Sequence, residues 1–148
     1  MKPSAYTIFY ADDDVDDQDF FKEIVSEIGG GHRVYTHDHG MALLEELDNP
    51  PPAPDVIFLD LNMPEKNGHQ VLEEIRQSPK YKHLPVIILS TSDDEGQINK
   101  SKKLGANLYI CKPNSYPLFR KMLSSVLAMD WQNKPAGETD FLYRNPIA

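Results

Sequence analysis

The sequence predicts a doubly wound α/β fold, with one five-stranded parallel sheet covered by helices on both faces. Three observations predict it. Short apolar runs alternate with segments of helical periodicity five times over. Two runs, Val56-Ile57-Phe58-Leu59 and Val86-Ile87-Ile88-Leu89, are apolar without interruption, as strands buried on both faces are. Glycine and proline clusters separate the segments, and strands that alternate with helices imply right-handed crossovers in a parallel sheet.

Each element has its own signal. Tyr6-Thr7-Ile8-Phe9-Tyr10-Ala11 reads as the first strand. Phe20, Phe21, Ile24, Val25 and Ile28 then form one helical stripe. Asp14 can cap that helix, Asp17 suits its first turn, and Gly29-Gly30-Gly31 stops it. Arg33-Val34-Tyr35-Thr36 is a weaker strand; Met41, Leu44 and Leu47 mark the second helix, which the prolines between Asn49 and Pro54 end. The third strand follows at Val56, and Val71, Leu72 and Ile75 give the third helix. Pro85 opens the fourth strand. The fourth helix, about 95–104, is polar apart from Ile98 and Leu104. Leu108-Tyr109-Ile110-Cys111 is the fifth strand; Leu118, Phe119, Met122, Leu123, Val126 and Leu127 mark the last helix.

The chain has 148 residues, the size of one domain with a tail. We expect the domain over 5–129 and the tail over 130–148, too short for a DNA-binding output domain. A single cysteine, Cys111, excludes an internal disulfide and suits a reducing, cytoplasmic setting. No apolar run approaches the roughly 18 residues of a membrane span. Fifteen Lys and Arg against 23 Asp and Glu leave a charge of −8, which argues against direct nucleic-acid binding.

The chemistry collects where strands end. Asp12 and Asp13 follow the first strand, Asp60 the third, Ser90 the fourth and Lys112 the fifth. In a parallel sheet these ends share one edge, where doubly wound folds bind ligands. Three adjacent carboxylates repel unless a cation neutralises them, and Mg²⁺ is the usual choice when a phosphoryl group is the substrate. The lone carboxylate, Asp60, is the natural nucleophile, forming an acyl phosphate, and the pair Asp12 and Asp13 the metal anchor. Lys112 and Ser90 would hold the phosphoryl oxygens.

Ala11-Asp12-Asp13-Asp14, Leu59-Asp60-Leu61-Asn62-Met63-Pro64 with Gly68, Ile88-Leu89-Ser90 and Tyr109-Ile110-Cys111-Lys112-Pro113 together resemble the receiver domain of two-component response regulators. The segment from Leu72 through Pro85 to Ser92 looks most like small stand-alone receivers of the chemotaxis-regulator kind, including those that serve phytochrome-type sensor kinases. The resemblance implies a flavodoxin-like sheet of order 2-1-3-4-5. It implies that Asp60 accepts phosphate from a phosphohistidine on a sensor histidine kinase or phosphotransfer protein. Asp13 and Asp60 would ligate Mg²⁺, Asp12 would act through a bound water, and Asn62 would offer its backbone carbonyl. Ser90 and Tyr109 would form the switch, and Lys112-Pro113 looks like the family's cis peptide. Phosphorylation would then reshape the face made by the fourth helix, fifth strand and fifth helix for a protein partner or a homodimer. Thr91, where many members have alanine, would narrow access to the phosphoryl group.

A competing reading takes Asp12-x-Asp14-x-Val as resembling the nucleophile motif of haloacid-dehalogenase-type phosphatases, with Asp12 attacking and Asp14 as acid/base. It lacks the closing acidic pair after the lysine and leaves Asp60 unexplained. Asp16 to Asp19 are expected on a solvated face, and His32, His37 and His39 in exposed turns without a carboxylate partner. Trp131 and Phe141-Leu142-Tyr143 are expected to pack on their own domain, with a dimer contact as the alternative.

Overall fold

A computed structural model describes residues 5–131 and 141–143. The five expected strand–helix pairs are present: β1 (Thr7–Ala11), α1 (Val15–Ile28), β2 (Arg33–His37), α2 (Gly40–Leu47), β3 (Val56–Leu59), α3 (Gly68–Gln77), β4 (Val86–Ser90), α4 (Glu95–Lys103), β5 (Leu108–Cys111) and α5 (Tyr116–Leu127). The sheet is parallel and ordered β2-β1-β3-β4-β5, as expected, and it gains a sixth strand, β6 (Leu142–Tyr143), beside β5. Two residues at a sheet edge carry no readable alternation, so β6 left no signal in the sequence.

Strand alternation sorts the core into two layers. Ile8, Tyr10, Val56, Phe58, Ile87, Leu89, Leu108 and Ile110 face α1 and α5. Phe9, Ala11, Ile57, Leu59, Val86, Ile88 and Tyr109 face α2, α3 and α4. Both faces are therefore dry, and every helix buries one stripe upon them. Trp131 is 2% exposed and belongs to the first layer, donating from Nε1 to the Val126 carbonyl at 2.8 Å. Phe141 packs against the second layer. The rest of the 130–148 expectation, residues 132–140 and 144–148, lies outside the described residues.

Two expectations are corrected here. Of the three histidines, His39 is exposed as expected, His32 is half-buried and His37 is buried. The His37 ring is buried against Phe9 and pairs with Glu46 at 2.6 Å, a partner one helical element away in sequence. His32 Nδ1 accepts from the Tyr6 amide at 2.9 Å, and His39 caps α2. The Lys112-Pro113 bond is not cis; among the described residues the cis bonds are Pro50-Pro51 and Pro51-Pro52. The trans form is the lower in free energy for most X–Pro bonds, and with it the Lys112 amide still donates to the Ser90 carbonyl at 2.8 Å.

Candidate phosphoacceptor site

Sheet register assembles the site. Ala11 pairs with Leu59, and the Asp60 amide donates to the Ala11 carbonyl at 3.0 Å. Asp12 and Asp60 thus leave neighbouring strands at one level, on either side of the order reversal between β1 and β3. Ser90 pairs with Cys111, so Lys112 emerges beside it. One oxygen each from Asp12, Asp13 and Asp60 lies within 4.8 Å of the others. Asp12 is fully buried, Asp60 is 8% exposed, and Asp13 faces solvent.

The loops hold these groups in place. Gly68 opens α3 directly over the Asp60 backbone, and a methyl group there would collide with the Asp60 carbonyl oxygen. Asn62 is exposed, and its amide donates to Asp60 Oδ1 at a long 3.5 Å. Ser90 is fully buried, and its hydroxyl accepts from the Ser92 amide at 3.1 Å. Tyr109 is also fully buried. Its hydroxyl donates to the Ser92 carbonyl at 2.7 Å, which ties β5 to the loop after β4.

Charge is balanced unevenly. The Lys112 ammonium donates to Asp12 at 2.8 Å and to Asp17 at 3.0 Å. Burial opposes its charge, but the hydrogen bond and charge of Asp12 leave it above its ordinary value. Asp60 is pushed up to about 7, first by burial; Lys112 pulls it down, and Asp12 raises it further. Beneath the site, the buried Tyr10 hydroxyl donates to Asp12 Oδ2, and the Asp14 amide donates to Asp12 Oδ1 at 2.9 Å. Gln18 Nε2 donates to the Asp12 carbonyl at 2.6 Å, pinning α1 to the end of β1.

Asp12, Asp13 and Asp60 come together with Lys112 against Asp12, and Ser90 stands at the adjacent strand end with its hydroxyl engaged by the Ser92 amide. Asp14 caps α1, accepting from the Asp16 and Asp17 amides, so it is spent on the helix rather than offered as an acid/base. Asp17 lies in the first turn of α1 and is partly exposed, as expected, but it is also an ion-pair partner of Lys112. Nothing in the sequence distinguishes it from any acidic residue in a first helical turn. A cavity of about 240 Å³ opens beside the site between Asp17, Phe20, Thr91, Lys112, Pro113 and Tyr116.

Residues 8–124 match the model of the response regulator receiver domain. The chain belongs to that family: it is a receiver-domain response regulator of two-component signalling. Receiver domains and CheY-like regulators are in general not turnover enzymes. Response regulator Rcp1 of Synechocystis sp. (strain ATCC 27184 / PCC 6803 / Kazusa) is 39% identical over 89 residues, covering 58% of this chain and 60% of Rcp1. Chemotaxis protein CheY1 of Helicobacter pylori (strain ATCC 700392 / 26695) is 29% identical over 116 residues, 76% of this chain and 93% of CheY1. The structure of the phosphorylated cyanobacterial phytochrome response regulator RcpA superposes with a TM-score of 0.81 at 29% identity, covering 90% of this chain and 99% of RcpA. The Mn²⁺-bound form of Rcp1 superposes at 0.77 with 28% identity, covering 88% and 98%. Among the described residues, no helix is long and apolar enough to cross a membrane.

Proposed function

We propose that the chain accepts a phosphoryl group on Asp60 from the phosphohistidine of a sensor histidine kinase or phosphotransfer protein, in a Mg²⁺-dependent reaction. One observation carries this reading: three carboxylates from two strand ends meet within 4.8 Å, with the Lys112 ammonium against them. Hard oxygen donors of which two are buried and one, on Asp13, is exposed fit a cation that keeps waters on its open side. Asp13 and Asp60 would hold it, with Asp12 acting through water and Asn62 through its carbonyl. Bound there, Mg²⁺ supplies neutralising charge for the carboxylates and the phosphoryl oxygens.

The chain's own residues do the rest. An Asp60 oxygen attacks phosphorus; the P–N bond to the donor imidazole breaks as the new P–O bond forms, and the imidazole leaves with a proton from solvent. Lys112 and Ser90 then bind the phosphoryl oxygens, one by charge and the other by its hydroxyl. Drawing Ser90 toward the phosphoryl group moves the loop that Tyr109 grips through the Ser92 carbonyl. That couples Asp60 to the face of α4, β5 and α5, whose outer border is β6. The likeness to the cyanobacterial phytochrome response regulator RcpA supports a phytochrome-type kinase as the donor.

The test is intact-mass measurement after incubation with phosphoramidate and Mg²⁺. One phosphoryl group is expected on the wild type, none on Asp60→Asn, and none in EDTA. Undiminished labelling of Asp60→Asn or in EDTA would refute the reading.

A further inference from the structure

We propose that Asp17 is a positioning residue that competes with the phosphoryl group for Lys112, so that phosphorylation must draw the lysine off it. This rests on the phosphoacceptor reading above. The Lys112 side chain is 8% exposed, and two of its three N–H donors are spent on carboxylates, Asp12 at 2.8 Å and Asp17 at 3.0 Å. Among the described residues the ammonium makes hydrogen bonds to these two carboxylates and none to Asp60, so it must move toward a phosphoryl group there, and the move lengthens one of the two bonds.

The surroundings decide which one. Asp12 is fully buried and tightly held: Tyr10 donates to the same oxygen as Lys112, and the Asp14 amide donates to the other. Losing a charged partner there would leave a dry carboxylate short of donors, which is costly. Asp17 is 37% exposed, and water can replace the lysine. It cannot drift away while the lysine is held, because its neighbour Gln18 fastens α1 to the Asp12 carbonyl and to Asp38. Nor is its carboxylate needed to start α1, because Asp14 caps that helix. Asp17 is thus a removable resting partner, set on a fixed element at the mouth of the site.

The experiment is a double-mutant cycle on Asp17 and Lys112, read by the rate of phosphoramidate labelling and by the affinity for beryllofluoride with Mg²⁺. Asp17→Asn is expected to raise both by about 2- to 5-fold, the range of a half-exposed ion pair. Asp17→Glu, which keeps the charge, is expected to return toward the wild-type values. In a Lys112→Met background the effect of Asp17→Asn should vanish. Urea midpoints confirm that each variant is folded, and Asp17→Ser serves if Asp17→Asn is not. An unchanged or slower Asp17→Asn, or an equal gain in both backgrounds, overturns the inference while leaving the phosphoacceptor reading standing. A wild type that neither labels nor binds beryllofluoride overturns that reading, and this inference with it.

Discussion

Asp60 keeps its carboxyl where water hardly reaches, and burial pushes it up to about 7 despite the nearby Lys112. In an unfolded chain an aspartate titrates near about 3.9. Between about pH 4 and 7 the folded, metal-free protein therefore holds a proton that the unfolded chain has lost. The contribution of Asp60 to stability is full below that window and is lost as the pH rises through about 7. Asp60→Asn removes this titration. In EDTA, its urea midpoint should exceed that of the wild type above pH 7 and vary less between pH 4 and 7; parallel profiles would contradict the buried carboxyl. Asp12, Asp13, Asp60, Ser90 and Lys112 were readable beforehand because each is among the first polar residues beyond an apolar run. Tyr10 and Asp17 give no such signal. One looks like any strand aromatic and the other like any first-turn acid, and only the packing of α1 against the end of β1 turns them toward Asp12 and Lys112.

At the scale of elements, the helices and the first five strands were legible because burial forces a periodic pattern on their sequences. What joins them was not, because a long side chain reaches partners that are remote in sequence. Arg76 on α3 is the clearest case. It donates to the Gly105 carbonyl at 2.9 Å, the Leu84 carbonyl at 2.7 Å and Asn107 Oδ1 at 2.8 Å, stapling α3 to the loops that enter β4 and β5. Arg76→Met should cost about 2 kcal/mol in urea denaturation, because it leaves several acceptors short of donors. Asp60 labelling should survive, since the staple lies at the opposite end of the strands from the site. The sixth strand makes a second expectation. Phe141 packs on the layer that contains Tyr109, and its carbonyl accepts from the Tyr109 amide at 2.9 Å. Phe141→Ala should destabilise by ~1–2 kcal/mol, below the range for a fully buried phenylalanine because the ring is only half-buried. No loss of stability would mean that β6 does not secure the β5 edge.

The whole molecule is a sheet with dry faces and one chemically active rim. Order reversal at β1 and β3 opens a crevice there, and residues as distant as Asp12 and Lys112 meet in it. The −8 charge makes that rim a poor place for acidic groups to gather without a counter-ion. A cation bound by the folded state alone stabilises it by mass action, about 2.7 kcal/mol at a hundredfold excess over the dissociation constant. Thermal melts should therefore rise with added Mg²⁺ in the wild type and rise less in Asp13→Asn; equal rises would place the ion elsewhere. The most direct test of the central claim locates the phosphoryl group itself. Protein labelled with phosphoramidate and Mg²⁺ would be reduced with borohydride, which converts an aspartyl phosphate to homoserine, and then peptide-mapped. The expected result is homoserine at position 60 alone; homoserine at position 12, 13 or 14 with position 60 unmodified would contradict it.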